Sequence, residues 1–243
     1  MIPKTIHYCW FGGSSLPSEA RKCIDSWRRV MPGYEIKRWD ESNFDVRSIP
    51  YTAEAYDVGK YAFVSDYARF RILYDEGGVY FDTDVEALRP IDDLVAVGPF
   101  MGVEKTVTSI GVNAGLGLAA PPGLGLYREI LDLYASMHYL GSDGTPVPGT
   151  VVGHVTRLLA ARGWMPEDRV QQVDGVTVYP AEYFNPLDDV TGRLTVTPHT
   201  RTIHHYAKTW CDGYGPVRTR VMRLLHRWFG TEIFGLVRRV INK

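Results

Sequence analysis

A chain of 243 residues, 45% of them hydrophobic, has enough apolar surface to bury one full core, with or without an appendage. A net charge of −1 excludes bulk electrostatic attraction to nucleic acid, so no nucleic-acid partner is expected. Three cysteines without metal-ligand spacing (Cys9, Cys23, Cys211), no signal-peptide pattern at the start and no bilayer-length apolar run lead us to expect a reduced, cytoplasmic protein.

In chain order, Lys4 to Phe11 (KTIHYCWF) reads as a buried first strand, ended by Gly12-Gly13. Pro17-Ser18 opens a helix with the apolar stripe Ala20, Cys23, Ile24, Trp27 and Met31, closed by Pro32-Gly33. Tyr34 to Trp39 is a second strand, so the chain begins as a parallel α/β unit. A short helix around Thr52–Tyr56 precedes a longer one with Phe63, Tyr67, Phe70, Leu73 and Tyr74 at helical spacing, stopped by Gly77-Gly78. The run Val79-Tyr80-Phe81 is then a strand that delivers Asp82-Thr83-Asp84. Alternation along a strand would bring both carboxylates to one face, where a divalent cation can bridge them to an anionic ligand.

Beyond Asp84, Phe100–Val103 and Val112–Ala119 read as strands and Leu124–Tyr139 as a helix. Gly141–Gly149 is a loop, and Thr150–Arg162 is a further helix. Val170–Val173 and Val176–Tyr179 form a hairpin across Asp174-Gly175, and Thr202–Tyr206 is the last strand. We divide the chain into an α/β domain over residues 1–215 and a basic amphipathic helical tail over residues 216–243. In that tail Val217, Val221, Leu224, Leu225, Trp228 and Phe229 oppose Arg218, Arg220, Arg223 and Arg227. Such a tail can dock on the core, make peripheral contact with an anionic membrane at the inner face of the cell membrane, or do both.

The ordered set HYCWFGG, SDYAR, GGVYFDTD and HHYAKTW resembles the glycosyltransferases that contain a DXD motif, the group of the yeast-type α-1,6-mannosyltransferases and bacterial capsule-type sugar transferases (family 32). More distantly it is similar to the glucosyltransferase domains of large clostridial toxins. The likeness is dense over residues 2–39 and 59–90, returns at 203–210 and is thin between. It implies a GT-A fold: an α/β, Rossmann-like mixed central sheet flanked by helices. It further implies a nucleotide-sugar donor, Mn²⁺ or Mg²⁺ as cofactor, and hexose transfer with retention.

By the same resemblance Trp10 stacks on the nucleobase, the alternative being a core tryptophan. Asp66 meets sugar hydroxyls and Arg69 meets sugar or phosphate oxygens, the alternative being an exposed ion pair at helical i,i+3 spacing. Tyr80 lies near the donor, Asp82 touches ribose and metal, and Asp84 coordinates the metal directly. His204 and His205 are neighbours in a strand and face opposite ways, so at most one reaches the metal. The distance to Trp210 matches the toxin pattern with His205 in the ligand's place, so the resemblance selects His205. Lys208, Thr209 and Trp210 form a lid over the diphosphate, and Asn113 is a candidate sugar contact. A UDP-sugar is the expected donor, with GDP-mannose as the alternative. The acceptor is a glycan or lipid-linked glycan of capsule or exopolysaccharide synthesis. The rivals are a non-catalytic nucleotide-sugar-binding protein, a nucleotidyltransferase, and a phosphohydrolase of the Asp-x-Asp-x-Thr/Val type, whose motif normally follows the first strand of its domain.

Overall fold

The computed structural model describes residues 1–147, 149–207 and 223–226. The apolar run at the start forms β1 (Thr5–Cys9), and the striped segment after Pro17 forms α1 (Ser18–Val30). The chain returns as β2 (Glu35–Trp39), parallel to β1 with Thr5 opposite Glu35 and Cys9 opposite Trp39. Next come two helices, α2 (Pro50–Asp57) and α3 (Tyr61–Glu76). The second ends at Gly77 (φ 67°), and Gly78 (φ 103°) opens β3 (Gly78–Tyr80), parallel to β1. A Cβ on Gly78 would sit 2.7 Å from the Thr5 carbonyl oxygen, so only glycine lets β3 approach β1 at this point.

The remaining elements are β4 (Val85–Ala87), α4 (Asp92–Val97), β5 (Phe100–Lys105), β6 (Ile110–Asn113) and β7 (Leu118–Ala120), then α5 (Gly125–Ala135) and α6 (Val151–Ala160). The hairpin β8 (Gln171–Val173) and β9 (Val176–Tyr179), α7 (Ala181–Phe184) and β10 (Thr202–His204) complete them. Eight strands make one mixed sheet in the order β2-β1-β3-β7-β5-β9-β8, with β6 paired to β5, while β4 and β10 form a separate antiparallel pair. The expected α/β class and mixed central sheet flanked by helices are both found. Apolar layers cover both faces: Phe70, Tyr80, Tyr127 and Tyr134 belong to one, and Trp27, Phe81, Phe100 and Phe184 to the other.

The structure departs from the sequence expectations at several elements. The single strand expected over 112–119 is two strands, because the Asn113 side chain accepts the Gly115 N–H and turns the chain between them. The strand expected through Phe81 stops at Tyr80. The short elements β4, α4 and α7 carry too few residues for periodicity to reveal them. The hairpin turn is as expected, with Asp174 and Gly175 both at positive φ. Lys208, Thr209, Trp210 and most of the tail lie outside the described residues. Within the tail, Arg223 turns to the core, donating to the Asp189 carbonyl at 3.0 Å and to its carboxylate at 3.1 Å.

His7 is a core histidine with both ring nitrogens satisfied. Trp39 Nε1 donates to its Nδ1 at 3.0 Å, so its Nε2–H donates to the Gly77 carbonyl, also at 3.0 Å. A second proton would point at the indole N–H, and burial already pushes the ring down from 6.5 to about 4. The unfolded chain therefore binds the proton first. Stability from this group is complete above pH 6.5 and is lost as pH falls toward about 4. We expect urea unfolding to lose about 3 kcal/mol over that window through this residue. His7→Gln should flatten the slope, and an unchanged slope in that variant would refute the assignment.

Candidate active site

The chain leaves β3 at Tyr80 and turns sharply, the Val85 N–H donating to the Asp82 carbonyl at 3.1 Å. The two DXD carboxylates are therefore neighbours through a turn and not through strand alternation. Helix α1 pins the segment after the turn: Trp27 Nε1 donates to the Val85 carbonyl at 2.7 Å, and Ser26 Oγ accepts the Ala87 N–H at 2.8 Å. Strand β4 so held pairs with β10, with His204 opposite Val85. This register sets His204 Nε2 3.2 Å from Asp84 Oδ1, and one donor atom from each of Asp82, Asp84 and His204 lies within 4.8 Å of the others. His204, and not His205, is therefore the imidazole of the cluster, which corrects the choice made from spacing. The pleat turns His205 outward, where its Nε2 sits 2.9 Å from Glu86 and its side chain is 44% exposed.

Burial opposes charge on Asp84, but the adjoining His204 and the Ala207 N–H, which donates to Asp84 Oδ2 at 2.8 Å, outweigh it and hold the carboxyl at about 2. Burial likewise opposes charge on His204, and the carboxylates of Asp84, Asp82 and Glu104 overcome it, raising the ring to about 9. The ring therefore holds a proton at neutral pH that a cation would have to displace; with it gone, two carboxylate oxygens and one imidazole nitrogen at this spacing are a donor set that would suit Mn²⁺ or Mg²⁺.

Beside this corner Arg69 is buried under two carboxylates, with Nη2 2.9 Å from Asp66 and 3.2 Å from Asp82. Its Nε donates to the Ser65 carbonyl at 3.1 Å, and the guanidinium lies 5.0 Å from the centre of the Tyr80 ring. The pair is therefore not the exposed ion pair that was the alternative, since Asp66 is 8% and Arg69 3% exposed. Burial outweighs the pull of Arg69 on Asp66, and the nearby Asp82 charge adds to it, so this carboxyl is held up at about 7. Tyr80 donates its hydroxyl to Asp82 Oδ1 at 3.1 Å. Asp82 also lies over Gly115, where an added Cβ would sit 1.9 Å from Oδ2, so any side chain at 115 would drive the carboxylate away. Burial pushes the Cys9 thiol up to about 12, which removes it as a nucleophile at neutral pH.

These groups share one cleft of about 610 Å³, a volume suited to a small-molecule ligand. Trp10, Tyr61, Asp82, Asp84 and His204 all line it. Asn113, Glu104, Tyr206 and the first turn of α6 line the same cleft. Trp10 follows the C-terminal end of β1, is half-buried, and anchors its indole N–H on the Ser14 carbonyl at 2.8 Å. It lies in the cleft wall and not in the core.

Residues 17–101 match a family described as "Glycosyltransferase sugar-binding region containing DXD motif". Over these residues the chain is similar to the DXD region of these glycosyltransferases. "Uncharacterized glycosyltransferase L373" of Acanthamoeba polyphaga mimivirus is 34% identical over 115 residues, which is 43% of this chain and 44% of the relative. "Inositol phosphoceramide mannosyltransferase 1" of Schizosaccharomyces pombe is 28% identical over 148 residues, 56% of this chain and 44% of the relative. The chain thus spans less than half the length of either curated relative. A solved glycosyltransferase involved in the glycosylation of the major capsid of PBCV-1 superposes with a TM-score of 0.47 at 13% identity, covering 90% of this chain and 98% of that one.

The DXD region contains Asp66, Arg69, Tyr80, Asp82 and Asp84, whereas Trp10, Asn113 and His204 lie outside the matched residues and join the site only through the fold. Sequence reasoning missed Glu104 and Gly115. Glu104 ends an apolar strand without a motif, and the cue to Gly115 was the Gly-rich segment NAGLG. No helix of the described residues is long and apolar enough to cross a membrane.

Proposed function

We propose that the chain transfers a hexose from a nucleotide diphosphate sugar to an acceptor hydroxyl. The observation that carries this reading is the convergence of Asp82, Asp84 and His204 in one cleft with Trp10. When bound there, Mn²⁺ or Mg²⁺ would act as a Lewis acid, neutralising diphosphate charge as the glycosidic bond breaks. Trp10 offers a face for the nucleobase, and stacking of this kind contributes ~1–3 kcal/mol. Arg69 supplies buried cationic donors for phosphate or sugar oxygens, and Asp66 accepts from sugar hydroxyls. Retention would follow from front-face attack. The acceptor oxygen bonds the anomeric carbon on the side from which the diphosphate departs, and the hydroxyl proton leaves on a diphosphate oxygen. Catalysis is then mainly positioning and electrostatics.

The resemblance favours UDP as the nucleotide, while the name of the S. pombe relative brings GDP-mannose forward as the second donor to test. A hydrolysis screen over UDP-glucose, UDP-galactose and GDP-mannose with Mn²⁺ and Mg²⁺ should find one donor turned over. EDTA should abolish that turnover and added Mn²⁺ restore it. Hydrolysis that persists in EDTA would contradict the reading.

We propose further that Lys208 and Trp210 close over the diphosphate and that the acceptor is a glycan or lipid-linked glycan. In this reading the basic residues of 216–243 adsorb to anionic lipid, while Arg223 keeps its contact with Asp189. Deleting 216–243, which removes seven Lys and Arg residues, should reduce partition into phosphatidylserine vesicles by more than a hundredfold, since each basic residue near such a surface contributes ~1 kcal/mol. Equal partition with and without the tail would remove the membrane role.

A further inference from the structure

Asn113 is 8% exposed and stands in the cleft wall with both ends of its amide committed. Its Oδ1 accepts the Gly115 N–H at 2.7 Å, and its Nδ2 donates to Glu104 Oε2 at 2.5 Å. A backbone N–H needs an acceptor and a carboxylate needs a donor, so these two partners together admit one orientation of the amide. Strand pairing brings them together. Gly102 of β5 stands opposite Asn113 of β6, and Glu104, two residues on, is the diagonal neighbour on the same face. Gly115 is also the residue over which the Asp82 carboxylate lies, and its carbonyl accepts the Asp82 N–H at 3.0 Å. A line of contacts therefore runs from Glu104 through Asn113 and Gly115 to the first aspartate of the DXD turn. Each side-chain amide nitrogen carries two hydrogens, and Glu104 takes only one of them.

We propose that Glu104 is a positioning residue of the donor site, its carboxylate fixing the Asn113 amide so that the remaining Nδ2 hydrogen is kept for the sugar of the donor. This role rests on the glycosyltransferase reading of the cleft. Glu104 acts through Asn113 and does not itself hold the donor. Without the carboxylate, one end of the amide loses the partner that forbids rotation, and the opposite orientation would turn an acceptor toward a sugar hydroxyl. In this reading the nucleotide does not touch Asn113, so its affinity should change less than that of the sugar nucleotide.

The test is calorimetric titration of the full chain in Mn²⁺ with UDP-glucose against UDP, and with GDP-mannose against GDP. Glu104→Ala should weaken the sugar nucleotide about tenfold, as expected for one buried hydrogen bond, and weaken the nucleoside diphosphate clearly less. Glu104→Gln still offers Asn113 an acceptor but adds an amide donor that admits the rotated orientation, so it should fall between the wild type and Glu104→Ala. In an Asn113→Ala background, Glu104→Ala should add no further loss, because two residues acting as one unit are non-additive. Equal losses for nucleotide and sugar nucleotide, no loss for either, or additive losses in the double variant would each overturn the proposal. A wild type that binds none of the four ligands would overturn the parent reading instead, whereas a Glu104→Ala protein indistinguishable from a binding wild type overturns this inference alone.

Discussion

Asp84→Asn is expected to lower donor turnover about a thousandfold while leaving the fold intact. Asparagine preserves the shape of the side chain and still accepts the Ala207 N–H, which meets Asp84 Oδ2 at 2.8 Å. What it removes is charge, and the Asp84 carboxyl, at about 2, is ionised throughout the neutral range. Losing one of two anionic ligands to a hard cation is an effect of about 4 kcal/mol on the transition state, equivalent to about three powers of ten. Raising Mn²⁺ should recover part of the rate, which would not happen if the variant were misfolded. The paired control is His204→Ala against His205→Ala. The first should fall with Asp84→Asn. The second breaks an exposed contact with Glu86 that contributes less than about 1 kcal/mol and should leave turnover within about threefold of wild type. Asp84→Asn turnover within tenfold of wild type at equal metal would sink the assignment of this corner as the metal site.

Arg69→Met should be the most destabilising single change in the cleft. The guanidinium is 3% exposed and offsets Asp66 and Asp82 at 2.9 and 3.2 Å. Methionine fills similar space without charge and leaves Asp66 buried beside a second carboxylate. Breaking a buried pair in this way costs about 3–5 kcal/mol, which for a chain of this size lowers Tm by roughly 6–20 °C. Part of the loss should be avoided as the uncompensated Asp66 takes up a proton, its carboxyl being held up at about 7 even with Arg69 present. Asp66→Asn in the Arg69→Met background should therefore recover much of the stability while donor binding stays weak. Thermal unfolding followed by circular dichroism reads the first effect and calorimetry the second. A Tm within 2 °C of wild type for Arg69→Met would refute the network.

The turn at Asp82–Val85 illustrates how a correct grouping arose from an incomplete reason. Alternation along an extended segment predicts the two aspartates together, and they are together, but the strand ends at Tyr80 and a turn joins them. The histidine differs. Spacing to Trp210 selected His205, while the pairing of His204 with Val85 brings the other ring to Asp84. Nothing within the dipeptide His204-His205 distinguishes its two faces, because which face is inward depends on a strand nearly 120 residues earlier in the chain. Asn113 was legible as a candidate from its resemblance alone, whereas the carboxylate that orients it was not, since Glu104 meets it only through the β5–β6 register.

By itself the sequence determined the local elements whose causes are covalent and near in the chain. These are the apolar period of α1 and α3, the glycines that end α3 and open β3, the Asp174-Gly175 hairpin, and the acidic residues that come after β3. Only the tertiary structure decided which imidazole faces Asp84, that Arg69 is sealed between two carboxylates, and that Gly115 makes room for Asp82. The physical reason is range. Helix caps, turns and side-chain periodicity are set by steric limits over a few residues, whereas a site assembled from several strands and helices depends on registers fixed by the packing of the whole core.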